Sequence, residues 1–237
     1  MKKIIAVLLV LCMVFAFAGC GSKTMSHKDF MAAEMDAQVV IETYVQAHQS
    51  WWDNKITVYC QSKDGAYFAY ELACSEADAA KLVPGTKIII TGTKGEWSGE
   101  IEIMDGTFEF AKGNDTYIAT ATDVTALLGT DKLIDHQNEF VSFKGMTVEA
   151  TKDVDGNDVV FLYKWDGSGA DGDDLYFNVS VNGQTYTFTV ESYLCDNTTE
   201  VYNAVKALNI GDVIDMEGFL YWYEGVNPHI TSVTVAE

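Results

Sequence analysis

The sequence predicts a mostly β fold arranged as two tandem five-stranded barrels. Three observations lead there. Leu82, Gly85, Gly92 and Gly99 of LVPGTKIIITGTKGEWSG recur at one common offset as Leu208, Gly211, Gly218 and Gly225 of LNIGDVIDMEGFLYWYEG, so one unit is repeated. Alternating Ile88 and Ile90 in the first copy are answered by Ile214 and Met216 in the second. Only two prolines stand against nineteen glycines, and Val, Ile, Tyr, Phe and Thr fall in short runs, a composition of strands and glycine turns.

The elements follow in order. Ser26 is an N-cap for a short opening helix. Strands are expected at Val39 to Gln46, Lys55 to Gln61 and Ala66 to Leu72, with Asp64-Gly65 as the hairpin turn between the last two. Ser75 opens a short helix that closes at Gly85, and strands follow at Thr86 to Thr93 and Glu100 to Phe110. Residues Ile118 to His136 form a connection in which Thr122-Asp123 and Thr130-Asp131 cap short helical turns. The second copy starts with a strand at Phe140 to Glu149. It turns a hairpin at Asn182-Gly183, has a helix from about Thr199 to Leu208, and ends with strands at Asp212 to Tyr221 and His229 to Val235. Each copy therefore reads β, β, β, α, β, β, the order of an OB fold with its helix before strand four. About sixteen extra residues separate strands one and two of the second copy, where TKDVDGNDVVFLYKWDGSGADGDD contains a small hairpin of its own.

The chain opens with MKKIIAVLLVLCMVFAFAGC. A basic start at Lys2 and Lys3, an apolar run from Ile4 to Phe17 and small residues before a cysteine read as a secretory leader with a lipoprotein cleavage site. Residues 1-19 are the expected leader and 20-25 a lipid-anchored tether. Then come a first barrel over 26-117, a connection over 118-137 and a second barrel over 138-237. Cys20 is the expected lipidation site, and the expected location is the extracytoplasmic face of the cell membrane.

Formal net charge is −20, and all fifteen basic residues are lysine. A nucleic-acid partner is accordingly not expected, because phosphate binding needs positive charge and arginine forks. Cys60, Cys74 and Cys195 remain after the leader and the lipid site. A Cys60–Cys74 disulfide would be out of register across the hairpin, and buried free thiols are the expectation.

Candidate binding residues are aromatic. Trp51, Trp52 and Trp97 fall on the two loops that flank the first barrel's ligand face, and Trp165, Trp222 and Tyr223 fall on the equivalent loops of the second. Consecutive strand residues point to opposite faces, so one of Trp51 and Trp52 belongs in the core. Two acidic loops, Asp153 to Asp158 and Asp166 to Asp174, offer oxygens to calcium, but neither completes a calcium motif and both read as solvated turns. His27, His48, His136 and His229 form no ligand spacing, and no nucleophile or phosphate-loop motif is present. No catalytic residue, metal or cofactor is expected.

The leader, the paired OB-like modules and the run ETYVQAHQSWWDNKITVYCQSKDGAYFAYELAC together resemble uncharacterised bacterial lipoproteins with tandem, tRNA-anticodon-like OB domains. That resemblance implies fold and surface anchoring and brings no activity with it. The expected function is a non-catalytic, membrane-anchored module for a small ligand or glycan. The alternatives are an envelope protein-interaction module and, third, a hydrolase.

Overall fold

The computed structural model describes residues 23–236. The chain begins there with α1 (His27–Ala32), whose Ser26 cap accepts a hydrogen bond from the Asp29 amide at 3.2 Å. Five strands follow: β1 (Gln38–His48), β2 (Lys55–Ser62), β3 (Gly65–Ala73), β4 (Lys87–Trp97) and β5 (Glu100–Phe110), with α2 (Glu76–Ala79) between β3 and β4. They close into a barrel in the order β1-β2-β3-β5-β4. Every pair is antiparallel except β3–β5, and β1–β4 completes the ring. Strand alternation turns Val39, Ile41, Ile88, Ile90 and Ile103 into the barrel, where all are fully buried.

The connection contributes a two-residue strand, β6 (Thr122–Asp123), and two 3-10 turns, Thr125–Leu127 and Leu133–His136. The second unit comprises β7 (Phe140–Glu149), β8 (Thr151–Lys152), β9 (Asp158–Val159), β10 (Phe161–Tyr163), β11 (Leu175–Val181), β12 (Gln184–Val190), α3 (Glu200–Lys206), β13 (Val213–Phe219) and β14 (His229–Val235). Strands β7, β11, β12, β14 and β13 close the second barrel, with β12–β14 parallel and β7–β11 completing the ring. The protein is thus two tandem OB-fold-like barrels.

The repeated glycines mark the same joints in both. Gly85 and Gly211 each donate an amide hydrogen bond of 2.8 Å back to strand one, at Val45 and Val148. Gly92 and Gly218 sit at irregularities in the pairing of strand four with strand five, the bulge at which these barrels bend.

Several local expectations are corrected. Ser62 pairs with Gly65, so the first hairpin turns at Lys63-Asp64 and Gly65 begins β3; the His27 ring lies over Gly65 and leaves no room for a Cβ there. The helix after Ser75 covers only Glu76–Ala79. Thr122-Asp123 pairs in parallel with β7, although Asp123 still accepts from the Thr125 amide at 3.0 Å. The helix expected from about Thr199 to Leu208 covers Glu200–Lys206, and the Thr199 hydroxyl donates to the Asp196 carbonyl. Cys60, Cys74 and Cys195 are free and buried, as expected.

The two barrels share an apolar seam. Outward-facing Tyr59 and Phe68 of the first barrel pack with Phe219, Phe140 and Tyr221 of the second, and the Tyr59 and Phe219 rings stack at 4.6 Å. Tyr59 Oη lies 2.6 Å from His229 Nδ1. Burial holds the phenol protonated and pushes the imidazole down to about 3, so the hydroxyl donates and the neutral ring accepts. Tyr59→Phe leaves that ring nitrogen buried and unpaired, and is expected to cost about 2 kcal/mol in urea unfolding.

Candidate functional site

In an OB barrel, ligands lie across strands two and three, between the strand 1–2 and strand 4–5 loops. In the first barrel this face is occupied. The cross-strand pair at its centre is Tyr59↔Phe68, and both rings are buried in the seam against the second barrel. The corresponding pair of the second barrel, three residues from the closing hairpin pair in each case, is Asn178↔Thr187. Two rings are replaced by two short polar side chains, and the face stays open.

A groove of about 370 Å³ lies on that open face. Its floor is Tyr176 and Asn178 of β11 with Thr187 of β12; Thr151, Leu162 and Trp165 of the inserted segment form one wall, and Tyr223, Val226 and Asn227 of the β13–β14 loop the other. The insertion is held in place because β10 pairs with β11, setting Leu162 opposite Tyr176. Trp165 and Tyr223 are 75% and 47% exposed, so both rings are available to a flat partner. The amides are oriented. Thr187 donates to Asn178 Oδ1 at 2.8 Å and Thr189 to Asn227 Oδ1 at 2.8 Å. Burial and the Asp174 and Glu191 charges push the Tyr176 phenol up to about 12, so it stays a neutral donor,. No lysine, aspartate or glutamate lines the groove.

The other candidate aromatics take different places. Trp51 packs against the first core and its indole N–H donates to the Cys74 carbonyl at 2.8 Å. Trp52 is 78% exposed on the β1–β2 turn, and Trp97 is 60% exposed at the end of β4. Trp222 packs against the second core, with its ring against Gly99 of the first barrel. Only Trp165 and Tyr223 of the six meet in the groove. Thr151, Leu162, Tyr176, Asn178, Thr187, Val226 and Asn227 were not legible as site residues, because their side chains converge only through strand pairing.

The acidic loops are spent locally. Asp153 accepts from the amides of Asp155 and Asn157, Asp166 from Ser168, and Asp174 from Ser192; Asp171 pairs with Lys206 at 2.6 Å. Among the described residues no cluster of three His, Cys, Asp or Glu side chains could hold a metal ion.

No family model matches the chain, and no curated protein matches it. Among solved structures it is similar to a murine DNA-binding protein bound with double-stranded DNA, at 11% identity and TM-score 0.39 over 84% of this chain and 96% of that one. It is also similar to the p204 HINb domain, at 12% identity and TM-score 0.36 over 82% and 95%. A third is a replication protein A heterotrimer bound to single-stranded DNA, at 10% identity and TM-score 0.32 over 82% of this chain and 49% of that one. At these identities the likeness is one of fold.

Two expectations are corrected here. The aromatic residues pointed to a small-ligand or glycan module and the charge pointed away from nucleic acid, whereas two of the similar structures, the murine DNA-binding protein and replication protein A, are described with bound double- and single-stranded DNA. The chain as a whole carries −20, while the groove lining itself holds no charged side chain. The resemblance to lipoproteins keeps only its architectural part, the two OB-fold-like barrels. The leader, Cys20 and with them the surface address lie outside the described residues.

Proposed function

We propose that the protein binds single-stranded nucleic acid, without catalysis, along the aromatic groove of its second barrel. The observation that supports this reading is the groove itself: exposed Trp165 and Tyr223 rings beside oriented Asn178 and Asn227 amides, on the OB face between the two long loops. Every base has a π-face to lay on such rings, and amides read base edges. In a duplex those faces are stacked away, so a single strand is the form that fits.

Charge decides how the strand sits. With no cation in the lining and −20 on the chain, bases face the groove and phosphates face solvent. Ordinary nucleic-acid binders lose affinity as salt rises, because salt reverses counterion release. Here added salt screens repulsion. Fluorescence anisotropy of a labelled single-stranded oligonucleotide, at about 0.05 M and about 0.5 M KCl, tests this. Affinity that is unchanged or higher in the higher salt is expected. Absence of binding at both salts, or binding that collapses with salt, would overturn the proposal.

A further inference from the structure

One wall of the groove, the β13–β14 loop, is not held by its own barrel alone. Glu224 N donates to Ser98 O at 2.7 Å, and Trp222 N donates to Glu100 Oε2 at 2.9 Å. Ser98 and Gly99 form the tight turn between β4 and β5 of the first barrel, with φ of 51° and 94°. A Cβ on Gly99 would stand 2.8 Å from Trp222 Cδ1, so the turn is pressed onto the loop that carries Tyr223 and Val226. Gln137 of the connection completes the joint, donating to Gly99 O at 2.8 Å and to Glu100 Oε2 at 3.2 Å.

Among the described residues, Glu100 is therefore the one ionisable side chain that grips the groove loop across the seam, and it is fully buried. One of its oxygens is committed to Trp222 and Gln137. The other, Oε1, is buried and has no hydrogen-bond partner among the described residues. The groups that face it are Gln137 and Asn138 from the connection, the Trp222 amide from the loop and Glu102 from its own strand. Glu102, itself buried, pairs at the backbone with Phe68 of the seam, and the Tyr221 phenol beside these carboxylates is held protonated. No cation stands among the groups that act on either carboxylate.

We propose that Glu100 is a positioning residue that couples the docking of the two barrels to the shape of the groove, holding the loop closed as the neutral acid and releasing it as the carboxylate. An anion here would be buried with one bare oxygen, next to a second carboxylate, a cost that outweighs the Asn138, Trp222 and Gln137 hydrogen bonds that favour the charged form,. Burial first, and the Glu102 charge second, push the Glu100 carboxyl up to about 8 from its ordinary 4.5, and burial pushes Glu102 up to about 7. For a carboxyl raised on folding, the stabilisation is complete below 4.5 and is lost as pH rises through about 8,. The seam is thus tightest in mild acid and loosens in mild alkali.

This coupling acts on the groove assigned above to nucleic acid, but its test does not need the strand to bind. Backbone amide shifts of Trp222 and Tyr223, followed by NMR in the whole unliganded chain, are expected to titrate with a midpoint near 8. Glu100→Gln keeps an oxygen for the Trp222 amide and cannot ionise, so its shifts should be flat and should match the wild type at low pH. Glu102→Gln should lower the wild-type midpoint, since it removes the neighbouring negative charge. Oligodeoxyadenylate affinity should fall about tenfold between about pH 6 and about pH 9 in the wild type and stay constant in Glu100→Gln. If the amides do not titrate in the wild type, or titrate equally in Glu100→Gln, the coupling is wrong. If they titrate as stated and no oligonucleotide binds, the coupling stands and the nucleic-acid reading falls.

Discussion

Gly218→Val is expected to destabilise the protein by about 3 kcal/mol or more and to unfold the second barrel first. A Cβ at this position would lie 2.8 Å from Ile230 Cα and close on the His229 carbonyl, and backbone cannot move aside as a side-chain tip can. The glycine stands where the β13–β14 register shifts, so the close approach is a property of the bend rather than of one rotamer. Gly92→Val meets Ile103 Cγ2 at 2.6 Å and Met104 O at 2.9 Å, and should damage the first barrel in the same way. Thermal unfolding followed by near-ultraviolet circular dichroism reads both. Unchanged melting for Gly218→Val would mean that the two glycines are not equivalent joints, and the repeat would lose its physical basis.

Trp165→Ala is expected to remove about 2 kcal/mol of oligonucleotide binding, roughly thirtyfold in Kd, with stability unchanged. The ring is three-quarters exposed on the inserted segment, so the fold loses little when it is truncated. Tyr223→Ala should weaken binding by a similar factor from the opposite wall. Trp52→Ala serves as the control: its ring is more exposed than either but lies on the first barrel outside the groove, and its removal should leave Kd within about twofold. Equal losses from Trp52→Ala and Trp165→Ala would indicate nonspecific attachment to exposed rings.

Much of the architecture could be read from residue order, because its signals are local. Glycine joints, alternating Ile and Val, and serine caps are each set within a few residues, and the repeat doubled every one of them. The site was only half legible. Trp165 and Tyr223 announce themselves by size, but Asn178 and Thr187 matter because of what they are not, namely the Tyr59 and Phe68 that fill the same positions in the first barrel. One further signal stands in the first hairpin. Ile56 to Gln61 and Ala66 to Ala69 are buried on both strand faces, and Tyr59 and Phe68, large apolar side chains on the faces turned away from the barrel interior, mark a sheet covered on its second face. Glu100 was hidden for the opposite reason. A glutamate next to a serine-glycine turn reads as solvent-exposed, and only the docking of the second barrel buries it.

The claim that the open face of the second barrel is the binding surface is tested most directly by chemical-shift mapping with a short single-stranded oligonucleotide. The account predicts perturbations centred on the Trp165 indole, the side-chain amides of Asn178 and Asn227 and the backbone of Tyr223, with the first barrel affected only at Ser98 to Glu100. Perturbations spread over lysines of both barrels, or none at saturating strand, would contradict it.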